Sequence, residues 1–107
     1  MFTKHDLEGF IPAVPGIQRK TLVYGDSTLM SKFTMQKGSQ LPLHSHPNEQ
    51  TGYLISGHIQ LIVGETIMDA LPGDAWNIPA GQPHRAEVIE DSVVLEIFSP
   101  VRPDYLP

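Results

Sequence analysis

The sequence predicts a single all-β domain, and three observations support this prediction. Nine glycines and ten prolines interrupt the 107 residues, so no uninterrupted stretch is long enough for an amphipathic helix. The short segments between these breaks are rich in Val, Ile, Leu, Phe and Thr, which favour strands. The length suits one hydrophobic core but not two. We therefore expect residues 1–107 to form one antiparallel sandwich or barrel.

Eight strands are predicted between the glycine and proline breaks. In chain order they are Thr21–Tyr24, Leu29–Gln36, Thr51–Ile55, Ile59–Val63, Thr66–Leu71, Ala75–Ile78, Arg85–Ile89 and Val93–Phe98. Each has an ordinary strand length, and we predict no regular element before Thr21. Because this first strand is short and terminal, it is a candidate for pairing with a second copy of the chain.

Charge and composition restrict the classes of partner. The chain has 12 Asp and Glu against 7 Lys and Arg, a net charge of −5, and no basic cluster, which argues against a nucleic-acid or anionic-membrane surface. Cysteine is absent, so disulfides and thiolate chemistry are excluded. The N-terminus lacks an apolar signal core, and no run reaches membrane-spanning length. These features favour a cytoplasmic protein.

Histidines carry the main chemical signal of the sequence. His44 and His46 are two residues apart, so on an extended strand both side chains would project from the same face. His84 could meet them if segments 51–55 and 85–89 were antiparallel neighbours in a closed sheet. Imidazoles suit Zn, Fe, Ni, Cu or Mn, with a fourth oxygen ligand to complete the set. Spacing alone leaves solvated or hydrogen-bonded histidines as an equal alternative.

Two stretches resemble the two sequence motifs of the cupin family. GSQLPLHSHPNEQTGYLISG, residues 38–57, resembles the first motif, in which Gly, His-x-His, Glu or Gln, and Gly recur at fixed spacings. GDAWNIPAGQPHRAEV, residues 73–88, resembles the second, with Gly, Pro-x-Gly and His. It departs from the motif only at Val88, where an Asn is usual. The resemblance implies a conserved jelly-roll barrel that forms a homodimer.

The same resemblance implies a set of metal ligands. His44, His46, Gln50 and His84 would hold one divalent transition metal, either Ni, Zn, Fe, Mn or Cu. Chemistry alone would choose the carboxylate of Glu49 over its neighbouring amide, but adjacent residues on an extended segment point to opposite sides. The motif spacing selects Gln50. A metal held by four neutral ligands keeps its full charge, which favours an anionic substrate or an acidified bound water.

The C-terminal stretch EIFSPVR, together with HPNEQTGY, resembles the small cupins that open unsaturated uronates from pectin and alginate breakdown. The resemblance implies conversion of 4,5-unsaturated monouronates to linear 4-deoxy-5-keto uronates, an isomerase activity. Glu96, Phe98 and Arg102 would line the site, with Glu96 transferring the proton and Arg102 holding the substrate carboxylate. Glu96 stands where the subfamily has Asp, which leaves the geometry of proton transfer open.

Alternative interpretations exist for the residues and for the function. Phe98 also suits an ordinary core position and Arg102 a solvated one, whereas Glu96 interrupts an otherwise apolar strand face between Val94 and Phe98. The function expected first is an enzyme acting on a small anionic sugar. A metal-dependent dioxygenase and a non-catalytic sugar-binding cupin remain the alternatives.

Overall fold

A computed structural model describes all residues, 1–107, and from Ile11 onward the chain forms strands joined by turns. No helix is long and apolar enough to cross a membrane. The chain ends in one 3-10 turn, Pro103–Tyr105. The strands are β1 (Ile11–Val14), β2 (Ile17–Tyr24), β3 (Leu29–Met35), β4 (Gln40–His44), β5 (Glu49–Val63), β6 (Thr66–Ala70), β7 (Ala75–Ile78) and β8 (His84–Ser99). The predicted all-β class is confirmed.

Two long antiparallel strands, β5 and β8, organise the fold. They have 15 and 16 residues, and they pair with each other along almost their whole length. One layer has the order β7-β5-β8-β3-β2-β1, and the other has the order β6-β5-β8-β4. Because β5 and β8 belong to both layers, they join the two layers into one barrel-like jelly roll.

The prediction of separate strands was wrong at β5 and β8. Segments 51–55 and 59–63 form one strand, and so do 85–89 and 93–98. The register of β5 against β8 shifts between Leu54 and Ile59, and Gly57 has φ 97° there. The glycine therefore bends the strand between the layers without ending it, because its missing Cβ permits this backbone conformation.

Segments 51–55 and 85–89, whose pairing was the condition given for bringing His84 to the other histidines, do not pair with each other. Residues 51–54 lie opposite 94–97, whereas 85–88 lie opposite 59–62. The continuous antiparallel strands place the start of one beside the end of the other. Two further strands, β1 and β4, were not predicted, and the segment Thr21–Tyr24 is the second half of β2.

Alternating residues of the long strands fill the barrel. Trp76 on β7 packs directly over Gly52 on β5, where any Cβ would collide with the indole ring. The same inward alternation along β8 gives way at its two ends to buried polar side chains, His84 and Glu96. The apolar core consists of Ile17, Phe33, Met35, Leu54, Ile59, Leu61, Ala70, Trp76, Ile78, Ala86, Val88 and Val94.

Candidate metal and acid site

Three histidines converge inside the barrel where β4 meets β8. His44, the last residue of β4, lies directly opposite His84, the first residue of β8, and their ring centroids are 4.2 Å apart. His46 lies two residues beyond the end of β4. One ring nitrogen from each histidine lies within 4.8 Å of one from each of the others. The structure therefore brings together the three histidines singled out by the sequence.

Backbone carbonyls hold all three rings in the same tautomer. The distances from Nδ1 to the accepting oxygen are 2.7 Å for His44 with Pro42, 2.9 Å for His46 with Asn48, and 2.8 Å for His84 with Gln82. A carbonyl oxygen only accepts hydrogen bonds, so each Nδ1 carries the proton. Each Nε2 is then left with a free lone pair, which is the form of imidazole that binds metals.

Burial keeps two of these rings neutral. It is the main cause of the lowered pKa of both His46 and His84, and the charges of neighbouring cationic groups lower each pKa further. The Nε2 of His84 is buried without any hydrogen-bond partner. A buried acceptor without a hydrogen-bond partner lowers the stability of the folded protein, and a bound cation would supply the missing partner. This donor set fits a metal.

Gln50 supplies a fourth donor, and its neighbour does not. Gln50 is 6% exposed, and its Oε1 lies 2.9 Å from Nε2 of His46. With His46 protonated at Nδ1, these two atoms are both acceptors, so a cation would satisfy both. Glu49 points to the exposed outer face, where its carboxylate accepts a hydrogen bond from Asn77 at 3.0 Å. The amide therefore faces the histidines and the carboxylate does not.

Glu96 lies in the same interior as a buried carboxylic acid. It is 5% exposed, and its Oε2 has no hydrogen-bond partner. Burial raises the pKa of Glu96 to about 8, although the Gln50 amide and the Arg102 charge both act to lower it. The side chain is therefore protonated at neutral pH and can donate a proton.

Arg102 lies beyond the end of β8, against two aromatic rings. Its guanidinium carbon is 5.0 Å from the ring centre of Phe98 and 4.0 Å from that of Tyr105. Its Nε and Nη2 donate to the two carboxylate oxygens of Asp104 at 3.2 and 2.7 Å. Phe98 is fully buried and also meets the His46 ring edge-on at 5.6 Å. Phe98 is thus both a core residue and a wall of the site.

A narrow cavity of about 40 Å³ joins these groups. Its polar lining includes His44, His84, Gln50, Glu96 and Arg102. A larger open cleft of about 630 Å³ is lined elsewhere by residues whose only charged member is Asp91. The lining of that cleft contains no cationic side chain and no imidazole. The narrow cavity is therefore the candidate functional site.

Comparison with known proteins identifies the fold family. The cupin-domain family matches residues 31–99. The chain belongs to the cupin family. The jelly-roll fold expected from its motifs is confirmed by the solved structures it resembles. A cupin described as RmlC-like from Shewanella frigidimarina, for example, has a TM-score of 0.92 at 23% identity over 98% of this chain and 95% of that one.

Two further relatives carry the name KdgF. The pectin degradation protein KdgF of Dickeya dadantii is 28% identical over 93 residues, which are 85% of this chain and 84% of that protein. The structure of KdgF from Halomonas sp. has a TM-score of 0.93 at 29% identity, covering 99% of this cupin and 98% of that chain. The predicted resemblance to the small cupins of pectin degradation is confirmed.

The sequence did not single out three residues of this cupin's site. The backbone oxygen of Asn48 orients His46, and its buried side chain donates to the Pro100 carbonyl at 2.6 Å. Asp104 and Tyr105 follow Pro103 in the 3-10 turn that packs against Arg102. Proline followed by an acid is a helix-start signal, and it could have predicted this short turn.

Proposed function

We propose that this cupin catalyses the opening and tautomerisation of 4,5-unsaturated monouronates to linear 4-deoxy-5-keto uronates. The observation that carries the proposal is one cavity lined by a neutral buried acid, Glu96, a guanidinium, Arg102, and imidazoles with free lone pairs. The similarity to KdgF supports the same assignment. His44, His46, Gln50 and His84 would hold the divalent transition metal.

The reaction is an isomerisation, so its protons must balance within the site. Opening of the hemiacetal gives an aldehyde at C1 and an enol across C4 and C5. Glu96 adds its proton to C4, and the enol O–H proton is lost as the C5 carbonyl forms, so that a proton is returned to the carboxylate. A divalent metal, when bound by neutral ligands, would stabilise negative charge on a substrate oxygen.

The substrate carboxylate is assigned to Arg102. A guanidinium can bind a carboxylate through two parallel hydrogen bonds, which orients the sugar as well as attracting it. Contact with the Phe98 and Tyr105 rings restricts the movement of this guanidinium. A monouronate is larger than the narrow cavity, so the proposal requires the side chains at its mouth to move when the sugar binds.

Proton NMR tests the proposed activity. Purified protein without a polyhistidine tag is mixed with a 4,5-unsaturated galacturonate, and the vinyl signal at C4 is followed against a protein-free control. Loss of the signal should accelerate with protein, slow after chelation and recover when a divalent metal is restored. In deuterated water, the product should carry deuterium at C4 with one face preferred. An unchanged vinyl signal contradicts the proposal, and oxygen uptake with a phenolic or thiol substrate would favour a dioxygenase instead.

The homodimer and the cytoplasmic location expected from the sequence remain part of this proposal. The outward faces of β5 and β8 expose Tyr53, Ile55 and Ile97, which are 46%, 43% and 37% accessible. An apolar sheet face of this kind suits packing against a second copy. Sedimentation analysis of the purified protein would measure the assembly mass.

A further inference from the structure

The hydrogen bonds of Arg102 use only one edge of its guanidinium group. This group has five N–H donors arranged as a planar fork. Asp104 accepts from Nε at 3.2 Å and from Nη2 at 2.7 Å, which is the side-on edge. No protein acceptor pairs with Nη1 or with the second hydrogen of Nη2. The end-on edge, formed by Nη1 and Nη2, is therefore available to another carboxylate.

We propose that Asp104 is a positioning residue that turns the end-on edge of Arg102 toward the substrate carboxylate. This inference rests on the proposed function and adds to it the device that orients the sugar. Arg102 lines the narrow cavity, whereas Asp104 lies outside the cavity and lines a separate surface cleft. The Asp104 carboxylate thus binds the guanidinium from outside the cavity and does not occupy the space for the substrate.

Contacts with β2 fix the segment that carries Asp104. Nη2 of Arg19 donates to the Asp104 backbone oxygen at 3.3 Å, and its guanidinium carbon lies 4.0 Å from the Tyr105 ring centre. The hydroxyl of Thr21 donates to the backbone oxygen of Tyr105. These contacts hold the 3-10 turn against the barrel, so the Asp104 carboxylate has a defined place from which to orient the guanidinium.

The ion pair is suited to orientation more than to stability. The Asp104 side chain is 59% exposed and that of Arg102 is 15% exposed. Pairs with one partner in solvent contribute little to the free energy of unfolding. Replacing Asp104 should therefore leave the fold intact and release the guanidinium to rotate. Its effect should appear in substrate binding.

Kinetics of the metal-loaded enzyme with a 4,5-unsaturated galacturonate test the proposal. Asp104→Asn should raise KM roughly three- to tenfold, with kcat changed less than twofold, because a binding group is disordered while the reacting atoms are untouched. Asp104→Glu, which restores a carboxylate, should recover most of the loss. Asp26→Asn is the matched control, since it removes one charge from an exposed residue in the β2–β3 turn.

A spectroscopic measurement separates this inference from the proposed function. The Arg102 Nε–H signal, identified by its loss in Arg102→Lys, should exchange slowly with water in the native protein and faster in Asp104→Asn. Equal exchange in Asp104→Asn and Asp26→Asn would overturn the inference, even if the enzyme lacked the proposed activity. A lowered KM in Asp104→Asn would also overturn it, since Asp104 would then compete with the substrate. An inactive native protein with the expected exchange difference would contradict the proposed function alone.

Discussion

The two ends of the cavity are held by contacts of different range. At the histidine end, each Nδ1 donates to a carbonyl two residues away along the chain. At the C-terminal end, Arg102 is held by the side chains of Asp104, Phe98 and Tyr105. The 3-10 turn that contains Asp104 and Tyr105 is itself held against β2 by Arg19 and Thr21. Local backbone geometry therefore orients the imidazoles, whereas the orientation of Arg102 depends on a turn that long-range contacts with β2 hold in place.

This difference predicts the largest effect at the histidine end. His84→Ala should reduce the metal content of untagged protein far below the near-stoichiometric native level. Loss of a ligand should cost more than the roughly 10–100-fold in affinity that is typical of losing a residue that only hydrogen-bonds to a ligand. The fold should persist, because the neighbouring rings keep their own backbone contacts. Elemental analysis measures the metal, and circular dichroism measures the β structure.

His58→Ala is the control for this loss. His58 lies outside the cavity, where its Nε2 contacts Asp69 at 2.9 Å. This variant should retain the native metal content. If His84→Ala retained it as well, the proposed ligand set would be wrong.

The next largest effect is expected from the acid. Glu96→Gln keeps the shape and hydrogen-bonding capacity of the side chain, but its amide cannot transfer a proton. Turnover, kcat, should fall by roughly 10²–10⁴, whereas metal content should stay native because Glu96 is not among the proposed ligands. Steady-state kinetics and elemental analysis of the same preparation measure both quantities.

Glu87→Gln provides the matched control on the same strand. The Glu87 side chain is 39% exposed and pairs with Arg85, so the variant makes the same carboxyl-to-amide change at a partly exposed position. Its kcat should be close to native. Near-native turnover in Glu96→Gln would mean that another group delivers the proton, and that the Asp-to-Glu departure has moved the chemistry away from this position.

A smaller effect, mainly on binding, is expected from Arg102. Arg102→Lys keeps the charge but loses the planar fork and the stacking on Phe98 and Tyr105. Its KM for the uronate should rise by roughly tenfold, the size expected from losing one charge-assisted hydrogen bond, with a smaller change in kcat. Arg102→Gln also removes the charge and should raise KM further. Equal KM values in these two variants would argue against electrostatic binding of the carboxylate.

The range of the contacts also explains how much could be predicted from the sequence. The histidines and Gln50 lie in motifs whose spacing is nearly local, and alternation along β5 correctly separates Gln50 from Glu49. The alternation of β8 likewise places Glu96 inside. Asp104 and Tyr105 are close to Arg102 in the chain, but their turn is held by Arg19 and Thr21 of β2, which are 85 and 84 residues away. The local pattern around Pro103 can predict the turn but does not encode these contacts.

The strand boundaries show the same limit. Gly57 and the residues around it look like a turn that should end one strand and begin another. In the barrel, the glycine allows β5 to bend and continue, with the Ser92 hydroxyl accepting from the His58 backbone N–H at 3.0 Å. β5 pairs with β8 on both sides of the bend, and this pairing keeps β5 a single strand. The sequence prediction was wrong because it treated Gly57 as the end of a strand without considering the partner strand.

The last prediction concerns stability and pH, and it tests whether burial of the Glu96 carboxyl destabilises the folded protein as pH rises. Folding raises the pKa of Glu96 from its ordinary value of 4.5 to about 8, mainly through burial. A raised pKa means that the folded state holds the proton more tightly, so the stabilising contribution is complete below about pH 4.5 and is lost as pH rises toward about 8. For one proton, the free energy of unfolding falls by up to about 1.4 kcal/mol per pH unit in this window.

Urea unfolding of metal-free protein between pH 5 and pH 8 measures this loss. Glu96→Gln has no proton to lose, so its stability should depend less on pH than that of the native chain, and the difference between them should grow as pH rises. Titration of the buried histidines is common to both proteins and largely cancels in that difference. Glu87→Gln should follow the native curve. Parallel curves for the native chain and Glu96→Gln would show that the carboxyl is hydrated or ionised inside the barrel, and the acid role proposed for it would lose its physical basis.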